Sequence, residues 1–217
     1  MALNLAEQRQ QLVEYGRKLI RSGLTTGSGG NLSVYDRQQG LIAITPSGIE
    51  YDQLESADIV ILDGHGSRVA GERKPSSELN FHLAIYAARA DVSAVVHTHS
   101  VYATTLACMH WEIPAVHYLV AFSGDKVPLA PYATFGSPEL ANNLVNALAD
   151  FNAVLLANHG LVGVGGSLDG AFNVAEEIEL VARIYYQTKI LGQPVLVEEA
   201  EMARVKDKFA DYGQQHQ

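Results

Sequence analysis

The side chains in this sequence that could do chemistry begin with two histidines, His97 and His99, in the run Ala-Val-Val-His-Thr-His-Ser over 94–100. An apolar, β-branched run of this kind is typical of a strand, on which residues two apart point to the same face. Both imidazoles can therefore reach one metal ion. A histidine in a core strand is more often hydrogen-bonded to the backbone than bound to metal, so the pair alone leaves both interpretations open.

A third histidine, His159, favours the metal. It follows a predicted strand over 153–157 and precedes Gly160, whose backbone freedom helps to present the side chain. Three neutral imidazoles suit Zn²⁺ and leave one coordination position open, as in catalytic zinc sites. We interpret the other histidines as surface or packing residues: His65, His82, His110, His117 and His216.

Glu78 is the best carboxylate candidate near this metal. The segment Lys-Pro-Ser-Ser-Glu over 74–78 predicts a helix start, with a serine as the N-cap and Glu78 in the first turn. A carboxylate that begins the helix before the histidine strand can serve as a metal ligand or as a general base. The helix dipole alone also favours a negative charge at this position.

Three segments, 27–31, 45–48 and 76–77, are rich in groups that bind anions. Glycine lets backbone N–H groups approach an anion closely, while serine hydroxyls and a helix N-terminus add donors and positive potential. Each segment alone is typical of a plain turn, and none matches the P-loop or the dinucleotide fingerprint. Together the three segments predict one phosphate site.

Composition and charge limit the classes of partner. The chain has 217 residues, 47% of them hydrophobic, which predicts a single domain over 1–217 with a sizeable core. A net charge of -9 without a lysine and arginine cluster argues against nucleic acid and favours a small molecule. We expect a cytoplasmic protein with no membrane partner, because no signal-like start and no apolar run of roughly 20 residues is present.

Helical and strand patterns alternate along the chain. This alternation predicts a three-layered α/β/α domain around a largely antiparallel sheet. Helices are predicted over 5–22, 79–89, 101–110, 138–149, 168–191 and 198–209, and strands over 32–35, 41–45, 59–62, 94–100, 115–120, 127–130, 153–157 and 161–164.

In the order of these motifs the chain resembles the class II aldolase/adducin family, most closely its zinc-dependent L-fuculose-1-phosphate aldolases. The resemblance covers nearly the whole chain, through Gly-Gly-Asn-Leu-Ser, Thr-Pro-Ser-Gly, Lys-Pro-Ser-Ser-Glu, Val-Val-His-Thr-His, Ile-Pro-Ala-Val-His-Tyr, Ala-Pro-Tyr-Ala-Thr-Phe-Gly and Asn-His-Gly. It implies one Zn²⁺ per subunit, with Mn²⁺ or Co²⁺ as alternatives. The implied ligands are Glu78, His97, His99 and His159, of which Glu78 leaves the metal to act as a base.

The same resemblance implies roles for further residues. Tyr118 of a neighbouring subunit transfers a proton at the aldehyde oxygen, and Asn31 donates a hydrogen bond to the enediolate. Phe135 and Tyr212 shape the aldehyde pocket, and the protein is a fourfold cyclic homotetramer with sites at its subunit interfaces. From the residues alone, Tyr118 would be a strand-core tyrosine and Tyr212 part of a frayed terminus. The implied phosphate ligands are Gly30, Asn31, Ser47, Gly48, Ser76 and Ser77.

The implied reaction is retro-aldol cleavage of a deoxy-ketose 1-phosphate to dihydroxyacetone phosphate and a short aldehyde. L-Fuculose 1-phosphate would give lactaldehyde, and 5-deoxyribulose 1-phosphate would give acetaldehyde. Motifs do not choose between them, since pockets that differ by so small a unit discriminate by only about 1–3 kcal/mol.

Other activities on the same scaffold are alternatives. Related sugar-phosphate 4-epimerases typically carry Asp at the position of Glu78 and an acidic residue within the segment that corresponds to 118–122. That segment is Tyr-Leu-Val-Ala-Phe here, which favours the aldolase. A methylthioribulose-1-phosphate dehydratase is a more distant alternative, and an adducin-like interaction module would lack the metal ligands.

Overall fold

The computed structural model describes residues 5–210, and these contain one sheet of eight strands. In chain order the strands are β1 (Asn31–Asp36), β2 (Leu41–Ile44), β3 (Val60–Asp63), β4 (Arg68–Ala70), β5 (Ala94–Thr98), β6 (Leu129–Ala130), β7 (Ala153–Leu156) and β8 (Gly160–Gly165). Their order across the sheet is β4-β3-β2-β1-β5-β8-β7-β6. Among these residues every neighbouring pair is antiparallel except β6 with β7, as expected for a largely antiparallel sheet.

Helices cover both faces of the sheet. They are α1 (Ala6–Arg21), α2 (Leu79–Ala88), α3 (Val101–Cys108), α4 (Pro138–Leu148), α5 (Leu168–Leu191) and α6 (Glu199–Ala210), with short 3₁₀ helices at Ser56–Asp58 and Tyr118–Phe122. Within residues 5–210, no helix combines the length and the apolar character that crossing a membrane requires.

The sheet separates two apolar cores, because neighbouring residues of a strand point to opposite faces. On β5, Val96 belongs to the core beneath α1, α3 and α5, whereas Val95 belongs to the core beneath α2 and α4. Phe172 of α5 is fully buried in the first core, and Phe81 of α2 is buried in the second. Helices packed on both sides of one sheet confirm the predicted three-layered α/β/α fold.

Helices α4 and α5 begin where their sequence signals predict. Ser137 Oγ accepts a hydrogen bond from Leu140 N at 3.1 Å, and Pro138 occupies the first helical position, where no N–H is needed. Ser167 Oγ likewise accepts from Gly170 N at 3.1 Å. A serine satisfies a free N–H at each start, and at α4 the pair Ser137 and Pro138 is also the sequence signal that predicts the boundary.

The strand predicted over 115–120 is wrong. The chain there enters the 3₁₀ helix Tyr118–Phe122, in which Val120 N donates to His117 O at 3.0 Å. The segment is apolar because this short helix packs against α5 and α6, not because it joins the sheet. Tyr118 is therefore not a strand-core tyrosine.

Smaller differences concern element ends and one short strand; for example, the strand predicted over 94–100 ends at Thr98. The apolar run 127–130 becomes a strand only at its last two residues, and the short, mostly exposed β4 lacks the apolar alternation that would have predicted it. Glu78 is itself the N-cap residue of α2, one position before the helix, whereas the sequence placed it in the first turn. Its side chain makes no capping hydrogen bond and is free to face elsewhere.

Leu144 and Asn146 offer a matched test of the packing of α4. Leu144 is fully buried in the second core, whereas Asn146 is exposed two residues later on the same helix. We expect Leu144→Ala to lower the free energy of unfolding by about 2–5 kcal/mol, because it leaves a cavity. Asn146→Ala should change it by less than about 0.5 kcal/mol. Urea denaturation followed by circular dichroism measures both, and equal small effects would contradict the packing described.

Candidate metal and phosphate site

Three neighbouring strands bring the candidate ligands together. β5 lies between β1 and β8, with Asn31 opposite His97 on one side and Val162 opposite His97 on the other. His99 follows the end of β5, and His159 immediately precedes β8. The ligand nitrogens of His97, His99 and His159 all lie within 4.8 Å of one another. The three imidazoles thus form one cluster that could bind a metal ion.

The backbone around His159 has the geometry that presents its side chain. Asn158 and His110 both have positive φ angles, 53° and 55°, and His110 Nε2 lies 2.7 Å from Asn158 Oδ1. A side chain at Gly160 would collide with the Thr98 carbonyl, so only glycine lets β8 begin this close to β5. These contacts fix the turn from which His159 reaches the other two histidines.

The carboxylate of Glu78 completes the cluster. Its Oε2 lies 3.2 Å from His97 Nε2 and its Oε1 lies 3.3 Å from His159 Nε2, although the side chain is only 7% exposed. Asn31 Nδ2 donates to Oε2 at 2.9 Å, whereas Oε1 is buried without a hydrogen-bond partner among residues 5–210. A buried carboxylate oxygen without a donor, beside three imidazoles, fits a divalent cation as its missing partner.

The protonation states of the cluster also suit a cation. Burial alone would raise the pKa of the Glu78 carboxyl, but attraction and a hydrogen bond from His97, attraction to His159 and a hydrogen bond from Asn31 outweigh it and lower that pKa. Burial, then repulsion from His97, lowers the pKa of His159 to about 4. At neutral pH the carboxylate is charged and the His159 imidazole is neutral, so both offer lone pairs to a metal.

A cavity of about 320 Å³ opens beside this cluster and is lined by Glu78, His99 and His159. Every residue that the resemblance implies for the phosphate also lines it: Gly30, Asn31, Ser47, Gly48, Ser76 and Ser77. Gly30 has a φ of 70°, and a side chain there would collide with the His97 carbonyl. The anion-binding segments and the metal cluster therefore face one space, about as large as the smaller ligand sites of proteins.

The residues expected around the aldehyde divide into three cases. Phe135 lines the same cavity, and 65% of its surface is exposed. Tyr118 is 49% exposed and does not line the cavity of its own chain; its ring lies against those of His117 and Phe209. Tyr212 lies outside the described residues.

His82 is the residue that the sequence interpretation missed. The sequence predicts a surface or packing residue here; the side chain is fully buried and also hydrogen-bonded, with Nε2 2.5 Å from Asn31 Oδ1 and Nδ1 2.7 Å from Ser33 Oγ. Burial lowers the pKa of His82 to about 3. Its position four residues after Glu78, about one helical turn, is a local sign that the two side chains lie near each other, but it does not indicate the contact with Asn31.

Comparison with known proteins matches nearly the whole chain to aldolases. Residues 10–186 match the family model for the class II aldolase and adducin N-terminal domain. A 5-deoxy-D-ribulose 1-phosphate aldolase from Bacillus thuringiensis is 53% identical over 97% of this chain and 99% of its own. An L-fuculose phosphate aldolase from Escherichia coli is 40% identical over 94% of each chain. A solved structure of an L-fuculose 1-phosphate aldolase has a TM-score of 0.92 and 46% identity, covering 94% of this chain and 96% of that one.

The buried imidazole of His82 makes the stability of the metal-free protein depend on pH. Its folded-state pKa of about 3 lies below the unfolded value of about 6.5, so the unfolded chain binds this proton first as the pH falls. We expect the free energy of unfolding to decrease from pH 6.5 towards pH 4. The contribution of His82 to that slope is at most about 1.4 kcal/mol per pH unit.

Urea denaturation of the chelator-treated protein and of His82→Gln at several pH values measures this contribution. The variant should show the shallower slope, because glutamine does not titrate. His65→Gln is the control, since His65 is exposed in the β3–β4 turn and its replacement should leave the slope unchanged. Equal slopes for the protein and His82→Gln would contradict the prediction.

Proposed function

The chain belongs to the class II aldolase and adducin family, and from that premise we propose which bond it breaks and which residues break it. It is an aldolase, a lyase that cleaves a carbon–carbon bond. The observation that carries the proposal is the cavity shared by Glu78, two of the clustered histidines and the three anion-binding segments. A metal and a phosphate bound there would lie within the length of one small sugar phosphate.

The proposed reaction is retro-aldol cleavage of a deoxy-ketose 1-phosphate. We place 5-deoxyribulose 1-phosphate first, because the relative with that substrate in its name is 53% identical along almost its full length. Its products are dihydroxyacetone phosphate and acetaldehyde. L-Fuculose 1-phosphate, which gives lactaldehyde instead, is the second candidate, supported by the 40% identical relative.

The proposed metal ligands are Glu78, His97, His99 and His159. Their donor set of three imidazoles and one carboxylate suits Zn²⁺ and also accepts Mn²⁺ or Co²⁺. When bound, the ion acts as a Lewis acid that polarises the ketose carbonyl and stabilises negative charge in the three-carbon half. The buried Glu78 Oε1 without a hydrogen-bond donor supports this assignment.

The phosphate is anchored by backbone N–H groups and hydroxyls of the three segments that line the cavity. Gly30 and Gly48 adopt positive φ angles that bring the backbone to the cavity surface, and Ser76 and Ser77 lie just before α2, whose N-terminus favours an anion. With the phosphate fixed at one end, the sugar carbons extend towards Glu78 and the histidines. This anchoring decides which carbon–carbon bond is presented.

Three side chains handle the protons and charge of the cleavage. Tyr118 of a neighbouring subunit accepts the C4 hydroxyl proton and passes its own phenol proton to solvent as the C3–C4 bond breaks and the aldehyde leaves. The bonding electrons pass to the three-carbon half as an enediolate, to which Asn31 donates a hydrogen bond. Glu78, which starts as a carboxylate, takes up the proton that Tyr118 passes on through solvent and delivers it to C3, which yields dihydroxyacetone phosphate.

We further propose a homotetramer with sites at its subunit interfaces. Supporting this, Tyr118 is half-exposed and does not line the cavity of its own chain, so a neighbouring chain would have to supply it. Phe135 and Tyr212 would contribute to the aldehyde end of the pocket. The single domain over 1–217 and the cytoplasmic location stay predictions.

The proposed reaction is tested by measuring dihydroxyacetone phosphate release from both ketose phosphates. We expect a higher kcat/KM for 5-deoxyribulose 1-phosphate, loss of turnover with a chelator, and recovery on adding Zn²⁺. A chelator-insensitive rate would contradict the metal-dependent reaction. A product without dihydroxyacetone phosphate would point instead to an epimerase or a dehydratase.

Glu78→Gln tests the proton-transfer role of the carboxylate. The amide keeps the shape but carries no transferable proton, so we expect kcat to fall by about 10²- to 10⁴-fold. Glu139→Gln, in the first turn of α4, is the control and should keep full activity. Full activity of Glu78→Gln with one zinc bound per chain would show that another group transfers the proton.

A further inference from the structure

A buried row of polar side chains extends from the candidate site into the core between the sheet and α2. Tyr86 Oη lies 2.6 Å from Ser33 Oγ, which lies 2.7 Å from His82 Nδ1. His82 Nε2 lies 2.5 Å from Asn31 Oδ1, and Asn31 Nδ2 lies 2.9 Å from Glu78 Oε2. Ser33 and His82 are fully buried, and the other three are at most 6% exposed.

From this row we propose that His82 is a positioning residue, which sets the orientation of the Asn31 amide and so keeps an N–H donor directed at Glu78 and the substrate. The proposal rests on the proposed function, in which Asn31 and Glu78 act on the ketose. His82 does not line the cavity, and its two ring nitrogens contact Ser33 and Asn31 rather than any of the three clustered histidines.

The chemistry of each atom allows one direction of donation along the row. Asn31 Oδ1 can only accept, so His82 Nε2 must carry the proton. A neutral imidazole with a proton on Nε2 accepts at Nδ1, so the Ser33 hydroxyl donates to it, and Tyr86 donates to Ser33. The side-chain polar atoms of Tyr86, Ser33, His82 and Asn31 then all have partners, and the last donor of the row is Asn31 Nδ2.

The reverse orientation of Asn31 is sterically equivalent, because the two ends of an amide have nearly the same shape. Reversal would place Oδ1 against the charged Glu78 carboxylate, with no proton between two acceptors. It would also require His82 to accept at Nε2 and to donate from Nδ1. Hydrogen bonds alone therefore decide the orientation, and His82 is the partner that supplies the decisive donor.

The orientation matters for the reaction because Asn31 Nδ2 carries two N–H groups. One of them donates to Glu78 Oε2, and this leaves Oε1 without a competing donor. The second is available to the substrate oxygen that becomes negative when the bond breaks. A reversed amide would present a carbonyl oxygen to that negative charge and would repel it. An N–H donor that is already oriented before the bond breaks stabilises the charge and accelerates the step.

His82→Leu and His82→Gln form the matched test in the zinc-loaded full chain. Leucine fills the space without a donor, and we expect kcat to fall roughly 10- to 100-fold, as for other partners that orient a ligand. KM and zinc content should change by less than about threefold, since the glycines and serines of the phosphate site and all four metal ligands stay in place. Glutamine can still donate to Asn31 Oδ1 and should recover most of the lost kcat. A kcat of His82→Leu within threefold of the unaltered protein, at equal zinc content, would overturn the proposal.

A control and a second measurement separate the possible failures. His65→Leu, on the exposed turn, should leave kcat unchanged. Nitrogen-15 NMR of the unaltered, zinc-loaded protein with labelled histidine should show His82 as the neutral Nε2–H tautomer from pH 5 to 8. An Nδ1–H tautomer or a charged ring would overturn the proposal even if His82→Leu does not fold. If the unaltered protein cleaves no ketose 1-phosphate, the proposed function fails, whereas the tautomer still reports the orientation of Asn31.

Discussion

Register between β1, β5 and β8 is the constraint on which the rest of the site depends. On one side of β5 the pairing places Asn31 beside His97. On the other side it brings Gly160 against Thr98, so that His159, the residue before Gly160, lies close to His97. A slip of one residue would turn every side chain of a strand to the opposite face. His97 would then point into the first apolar core, away from Glu78. Apolar packing on both faces of the sheet thus fixes the coordinates of polar atoms that contribute little to that packing.

Burial then determines the electrostatics. A buried, ionised carboxylate such as that of Glu78 is unfavourable unless it is paired and hydrogen-bonded. Imidazoles and the Asn31 amide supply that pairing for Glu78, but they leave one of its two oxygens without a hydrogen-bond partner among the described residues. Burial keeps the His82 imidazole uncharged, and it also leaves the Glu78 carboxylate with one oxygen that a cation can bind.

Much of this could be predicted from the sequence, for reasons that differ between residues. His97 and His99 could be paired because residues two apart on a strand point to the same face, and the start of α4 could be placed because Ser137 and Pro138 mark it. The structure of the segment 115–120 could not be predicted, since apolar periodicity does not distinguish a run that packs against helices from one that joins a sheet. His82 could not be singled out, because the role proposed for it depends on Asn31, which lies 51 residues earlier on another element. Tertiary packing, rather than the local sequence, makes that histidine different from the exposed ones.

The cavity is built differently at its two ends, and this affects how such an enzyme can acquire new substrates. At the end proposed for the phosphate the shape comes from main chain at Gly30 and Gly48, and at Gly30 an added side chain would collide with the neighbouring strand. At the end proposed for the aldehyde it comes from projecting side chains such as Phe135, which is exposed. Point substitutions can exchange the second surface freely but not the first. A lineage or a laboratory library can therefore diversify the aldehyde while the phosphorylated half stays the same.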